Sequence, residues 1–290
     1  MVQSSNQGKS IRNAGCLIIG DEILNGKILD TNSYNFAKFC FNRLSIPLSK
    51  TIVCGDDEKD ITQSLDFLTK QNEIDFIITS GGLGSTHDDI TYKVIADYFK
   101  VSCELDNEVV DRMKKLRAEY IKALDTQQLH AYFRMATIPV PTTNSNTLVE
   151  KFFVDEKLWF PIVALNQQVY ILPGVPQLFM KLINAIEPIL KPRIKSQQYI
   201  RRYVVTKTNE SVLAPFLTNL QKICNEKYGL GNLKLGSYPH MGSSLVTISI
   251  IGKDLNKEDY NWIVIELINH IGGEAKEITQ EEEDKLSNES

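Results

Sequence analysis

No run of about 18 apolar residues occurs anywhere in the chain, so nothing in it reads as a membrane-spanning helix. The opening MVQSSNQGKSIRN also lacks the apolar centre of a secretory signal. Lys9, Arg12, several serines and the absence of acids give it a weak organelle-presequence composition, but residues 1–12 read more simply as a flexible tail. The expected compartment is the cytoplasm, with no membrane partner. Paired cysteines are lacking as well: Cys16, Cys40, Cys54, Cys103 and Cys224 are odd in number and widely spaced, which fits neither a disulfide framework nor a zinc knuckle. Nor is there an excess of one charge. A net charge of −4 creates no general attraction for nucleic acid, so none is expected as a partner and any anion site must be local. The four histidines, His87, His130, His240 and His270, show no ligand spacing, and no Ser-His-Asp order or nucleophile elbow appears. Attack by an activated water is therefore a better expectation than a covalent intermediate.

What is present is an alternation of strands and helices. Cys16-Leu17-Ile18-Ile19 is an apolar run stopped by Gly20-Asp21-Glu22, and Tyr34, Ala37, Phe41 and Leu44 then recur at helical spacing behind a possible cap at Asp30 or Thr31. Thr51 to Cys54 forms a second strand. Ile61, Leu65 and Leu68 mark the next helix, and Ile74 to Thr79 a third strand, apolar but for Asp75, as expected when helices cover both sheet faces. Helices follow near Thr91 to Phe99 and from about Asn107 to Leu124. Val169 to Leu172 is a further buried strand, closed by Pro173-Gly174-Val175-Pro176 before a helix to Leu190. The pattern predicts an α/β fold with a mostly parallel sheet over residues 13–195. At 290 residues there is room for one more small domain, and residues 199–276 read as a βαββα module. The acidic segment 277–290 reads as a disordered tail.

In a parallel sheet, ligands sit at the carboxyl ends of strands. The loop Ser80-Gly81-Gly82-Leu83-Gly84-Ser85-Thr86-His87-Asp88-Asp89 follows such an end. Its glycines permit positive φ and close approach of backbone N–H groups to a phosphate. It is no Walker A loop, since no Gly-Lys-Ser/Thr follows, and the other reading is a tight strand-to-helix turn capped by Asp88 or Asp89. Those two acids would repel a bare anion, which makes sense if a divalent cation bridges carboxylate and phosphate oxygens. Asp21 and Glu22, at a neighbouring strand end, could complete that site. Asp56-Asp57 reads instead as a helix cap, and His87 as an exposed loop histidine that could also contact a ligand.

Taken together, Gly20-Asp21-Glu22-Ile23-Leu24-Asn25-Gly26, Asp30-Thr31-Asn32, the loop from Ser80 to Thr91 and Leu172-Pro173-Gly174-Val175-Pro176 resemble the molybdopterin-binding (MoaB/Mog-like) domain family over residues 13 to 195. The Gly-Gly-Leu-Gly form is similar to the CinA N-terminal and FAD synthase N-terminal branch. Residues 200–275 resemble the small KH-like module that follows in CinA, although its GXXG loop is absent. The resemblance implies a hydrolase of nucleotide pyrophosphate bonds in FAD or ADP-ribose, dependent on Mg, Mn or Co. It implies catalytic Asp21, Glu22, Asp88 and Asp89, with Asp21, Asp88 and Asp89 as metal ligands. Gly20, Asn32, Ser80, Gly81, Gly82, Leu83, Gly84, Ser85, Thr86, His87, Pro173, Gly174 and Pro176 are the implied contacts of a nucleotide or pterin phosphate. A homo-oligomer, dimer or trimer, is also implied. A pterin-binding or adenylyl-transferring role in molybdenum cofactor synthesis is the alternative. Ser85, where the branch usually has proline, and Gln177, where an acid commonly follows Pro-Gly-Val-Pro, support a third reading as a non-catalytic nucleotide-binding module. Deamidase and FAD-synthesising activities, which belong to other domains of the relatives, are not expected.

Overall fold

The computed structural model of the protein describes residues 8–194, 199–240 and 242–288. Two units divide the chain, Met1–Lys195 and Ser196–Ser290. In chain order the first contains β1 (Ala14–Ile19), α1 (Asp21–Leu24), α2 (Asn32–Phe39), β2 (Leu48–Cys54), α3 (Glu58–Asp66), β3 (Phe76–Ser80), α4 (Thr91–Phe99), β4 (Ser102–Leu105), α5 (Asn107–Leu116), α6 (Ala118–Lys122), α7 (Thr126–Phe133), β5 (Thr137–Val140), β6 (Val149–Phe152), β7 (Ile162–Leu165), β8 (Val169–Leu172) and α8 (Pro176–Leu190).

A six-stranded sheet in the order β2-β1-β3-β8-β7-β6 forms the centre, parallel from β2 to β8 and antiparallel beyond. Alternating side chains serve opposite faces, as the pleat requires. Leu17, Ile19, Ile77, Val169 and Ile171 pack with α3, α4 and α5 residues such as Leu65, Ile95 and Met113. Cys16, Ile18, Ile78, Tyr170 and Leu172 pack with Phe36, Phe179 and Ile183 of α2 and α8. Continuous apolar strands thus follow from burial on both sides. The chain leaves β1 toward β2 on one flank and returns to β3 on the other. The order reverses between β1 and β3, and a crevice opens at their carboxyl ends.

Two expectations in this unit need correction. The helix expected from Asn107 to Leu124 breaks at Arg117, whose φ of −128° and ψ of 28° are not helical. Val109 and Met113 are buried and hold α5, whereas Leu116 and Tyr120 are 36% and 53% exposed and give the next turns less core to pack on. The tail expected over residues 1–12 is placed from residue 8, while residues 1–7 lie outside the described residues. Ile11 is buried, its N–H donates to the Arg193 carbonyl at 2.9 Å, and Arg12 pairs with Asp75 at 2.9 Å.

The second unit holds β9 (Tyr199–Thr206), α9 (Glu210–Tyr228), β10 (Leu233–His240), β11 (Leu245–Lys253), α10 (Lys257–Ile271), β12 (Lys276–Ile278) and α11 (Gln280–Asn288). Its antiparallel sheet runs β10-β11-β9-β12. Residues of α9 and α10 pack with Val204, Ile248 and Ile250, while Leu286 of α11 packs with Tyr203, Val205 and Ile278. The expected βαββα module is therefore extended by a strand and a helix, and the tail expected over 277–290 is structured through 288, with 289–290 outside the described residues. The physical reason is Glu283. Buried at 6% exposure, it accepts the Thr247 hydroxyl at 2.7 Å and the Ser287 hydroxyl at 3.0 Å, and Thr247 in turn meets His240 Nε2 at 2.8 Å. An acidic run that reads as solvated thus carries one carboxylate with a buried task. Glu283→Ala should lower stability by about 2 kcal/mol, because the buried Thr247 hydroxyl loses its acceptor. Urea unfolding together with faster amide exchange along α11 checks this, and unchanged exchange there would contradict the role.

Candidate active site at the glycine loop

The loop after β3 is fixed from several directions. Gly81 and Gly82 have φ of 117° and 63°, which L side chains rarely adopt. The Gly81 N–H donates to the Leu172 carbonyl at 3.2 Å, tying the loop to the end of β8. Thr91, fully buried, donates its hydroxyl to the Gly81 carbonyl at 3.0 Å and its N–H to the Gly82 carbonyl at 3.1 Å. The Asp89 carboxylate turns inward. It accepts the N–H of Gly84 at 2.6 Å and of Thr86 at 2.9 Å, together with the Thr86 hydroxyl. Once these bonds are made, the N–H groups of Gly82, Leu83 and Ser85 have no hydrogen-bond partner among the described residues.

Asn32 joins the neighbouring loops. Its Nδ2 donates to Ser80 Oγ at 2.9 Å and to the Gly174 carbonyl at 2.8 Å, and its Oδ1 is buried without a partner among the described residues. Asp30 accepts the N–H of Asn32 at 2.9 Å and of Ser33 at 3.0 Å, so the expected capping role at the start of α2 falls to Asp30. Gly174 lies so close to Gly81 that a β-carbon on it would meet the Gly81 α-carbon at 3.2 Å. The Asp-Thr-Asn and Pro-Gly-Val-Pro motifs therefore tie the ends of β3 and β8 to the start of α2 around one crevice.

That crevice is a cavity of about 480 Å³, within the range of small-molecule sites. Asn32, Ser80 to Gly84, Asp89, Pro173, Gly174 and Pro176 line it, as does Glu22. Met135, Trp159, Phe160, Ile28, Leu29 and Val175 are among the residues of its apolar wall. None of these six was singled out from the sequence as a ligand contact. Val175 stands inside the Pro173–Pro176 motif, whereas Trp159-Phe160 is an aromatic pair that no motif marks.

Asp21, Ser85, Thr86, His87 and Asp88 lie outside the cavity lining, and His87 is exposed. Asp57 caps α3, accepting the N–H of Lys59 and Asp60, as expected. Asp56 does something the sequence did not suggest: it accepts the Asp21 N–H at 3.0 Å. Burial and the negative charges of Glu22, Asp21 and Asp88 raise the Asp56 carboxyl, partly offset by that hydrogen bond. The rim is thus acidic and formed by four carboxylates from three loops. Among the described residues no three acidic, histidine or cysteine side chains converge closely enough to hold an ion by themselves.

Comparison with known proteins agrees with this architecture. The model of the probable molybdopterin binding domain matches residues 15–195, and the chain belongs to that family, in its MoaB/Mog-like, CinA-like form. It is 28% identical to a probable FAD synthase of Caenorhabditis elegans over 90% of this chain and 50% of that protein. It is 31% identical to a CinA-like protein of Flavobacterium psychrophilum over 84% of this chain and 55% of that one. A crystal structure of CinA from Thermoplasma acidophilum, described as of unknown function, matches 62% of this chain and 98% of its own with a TM-score of 0.50 and 27% identity. The chain spans about half the length of the FAD synthase and CinA-like relatives. Among the described residues no helix is long and apolar enough to cross a membrane.

Proposed function

We propose that this chain hydrolyses the pyrophosphate bond of a nucleotide of the FAD or ADP-ribose type with the help of Mg²⁺, Mn²⁺ or Co²⁺. The observation that carries the reading is the set of unengaged N–H groups at Gly82, Leu83 and Ser85, on a loop whose glycines line a 480 Å³ cavity under an acidic rim. Backbone donors held before the ligand arrives suit the non-bridging oxygens of a diphosphate, and their fixed placement avoids reorganisation during reaction. Asp21, Glu22, Asp56 and Asp88 supply the negative charge that draws a cation to the same edge. A divalent ion held by these carboxylates would polarise a phosphoryl oxygen and acidify water. Asp89 and Asn32 act as positioning residues, the first shaping the loop and the second locking it to the Pro173–Pro176 turn. Trp159, Phe160 and Met135 receive the non-phosphate end and keep water from it. Two phosphomonoesters leave.

Incubating the protein separately with FAD, with ADP-ribose, and with ATP plus molybdopterin, each with one of the three metals, is the direct test. Chromatography should show AMP and FMN, or AMP and ribose phosphate, formed only when metal is present. Adenylylated molybdopterin would instead support the cofactor-synthesis alternative. Tight binding without turnover under any metal would support the non-catalytic one.

A further inference from the structure

The cavity has two apolar walls, and only one of them is packed. Phe160 is buried in the core on the α3–α5 face of the sheet, and Met135 and Trp159 pack against that same core. The Trp159 and Phe160 rings touch, with centroids 4.8 Å apart. The other wall rises from the opposite face, where Ile23 of α1 and Leu178 of α8 line the cavity and pack against the α2–α8 core. Beyond them stand Ile28 and Leu29, between α1 and α2, and Val175, just before α8. These three line the cavity yet face water: Leu29 is 81% exposed, and Ile28 and Val175 about half. Apolar side chains left in water forgo favourable burial, and three at the mouth of one cavity mark a ligand-binding surface. The chain carrying Leu29 is held on both sides of it. Ile28 donates its N–H to the Glu22 carbonyl at 3.0 Å, and the Asp30 carboxylate caps α2. Leu29 itself makes no hydrogen bond among the described residues, so it can turn onto a ligand without breaking one. A sugar or other polar group between two such walls would lose its hydrogen bonds to water, whereas a flat aromatic ring presents apolar faces to both.

We propose that Ile28, Leu29 and Val175 close on the flat ring of a bound nucleotide and hold it against Trp159, Phe160 and Met135, which makes Leu29 a specificity-determining residue for ring-bearing phosphates over inorganic phosphate. This rests on the reading of the glycine loop as the phosphate site, which fixes which end of the ligand meets the two walls. The ring is the isoalloxazine of a flavin nucleotide or the adenine of an adenine nucleotide, since either offers the flat apolar faces that the walls recognise.

The test is calorimetry of the full chain with Mg²⁺ and with FMN, AMP or inorganic phosphate, none of which has a pyrophosphate bond to cut. Leu29→Ala should melt within about 1 °C of the parent, because the side chain is exposed before any ligand arrives. It should weaken FMN or AMP by about tenfold, the effect of a leucine buried only in the complex, and leave any binding of inorganic phosphate unchanged. Amide exchange across residues 26–30 should slow with the ring-bearing ligand and not with phosphate. A response of FMN alone seats the flavin half of a dinucleotide between the walls, and a response of AMP alone seats the adenine half; either bears the proposal out. If Leu29→Ala leaves both FMN and AMP within about twofold of the parent, or weakens inorganic phosphate as much, the proposal is overturned. Cleavage of FAD or ADP-ribose in that event would leave hydrolysis standing without the clamp. Selective loss of a ring-bearing ligand in a protein that cleaves neither would leave the clamp standing without hydrolysis. Failure of all three ligands to bind would overturn both.

Discussion

Gly81→Ala is expected to destabilise the first unit by about 3 kcal/mol and to remove nucleotide binding, more than any other single methyl added in this loop. Gly81 has a φ of 117°, and a β-carbon placed there would stand 2.0 Å from the Ile19 carbonyl oxygen. The obstacle is backbone at the end of β1, which cannot swing aside as a side chain can. Positive φ in an L residue costs roughly 1–2 kcal/mol and overpacking a further 1–3 kcal/mol. For a unit of this size that corresponds to a fall of roughly 6–12 °C in melting temperature. Gly82 is less severe. A β-carbon on Gly82 would meet Thr91 Oγ1 at 2.2 Å, so Gly82→Val should displace the hydroxyl that anchors the loop and distort the phosphate donors rather than fill their place. Circular dichroism melts and ligand calorimetry on both variants check the order. A Gly81→Ala protein that melts within about 1 °C of the parent would show that the strand ends are far looser than this geometry allows.

The second large effect separates two adjacent acids. Asp88→Asn should leave the melting temperature unchanged and lower metal-dependent turnover by about a hundredfold, the loss expected when a carboxylate that helps hold a catalytic cation becomes neutral. Asp89→Asn should behave differently. Its carboxylate accepts two loop N–H groups and the Thr86 hydroxyl, so the amide weakens the loop itself. A stability loss of about 1–2 kcal/mol is expected, with substrate affinity falling more than kcat. Steady-state kinetics over a range of metal concentrations distinguish the pair. High metal should partly restore Asp88→Asn but not Asp89→Asn. Turnover within a few fold of the parent in Asp88→Asn at every metal concentration would remove Asp88 from the reaction.

Much of this molecule was legible along the chain. The apolar runs Cys16 to Ile19, Ile74 to Thr79 and Val169 to Leu172 contain or overlap the buried strands β1, β3 and β8, and Glu22, Gly81, Gly82 and Gly174, just after them, line the crevice. Asp57 was readable as a cap because its partners, the N–H groups of Lys59 and Asp60, are two and three residues away. Burial on both faces, helical spacing and capping are set by interactions within a few residues, and sequence reports these directly.

Tertiary structure alone decided which distant groups meet. Asp56 and Asp57 are chemically identical neighbours, yet one caps a helix while the other crosses 35 positions to Asp21. Asn32 reaches Gly174 across 142 positions, and Glu283 reaches Thr247 from a segment whose composition reads as solvated tail. Trp159, Phe160 and Met135 enter the cavity from segments that carry no motif. The physical reason is register: strand order and the one-residue alternation of side chains choose the face each group presents, and those are settled only when the whole sheet closes its core.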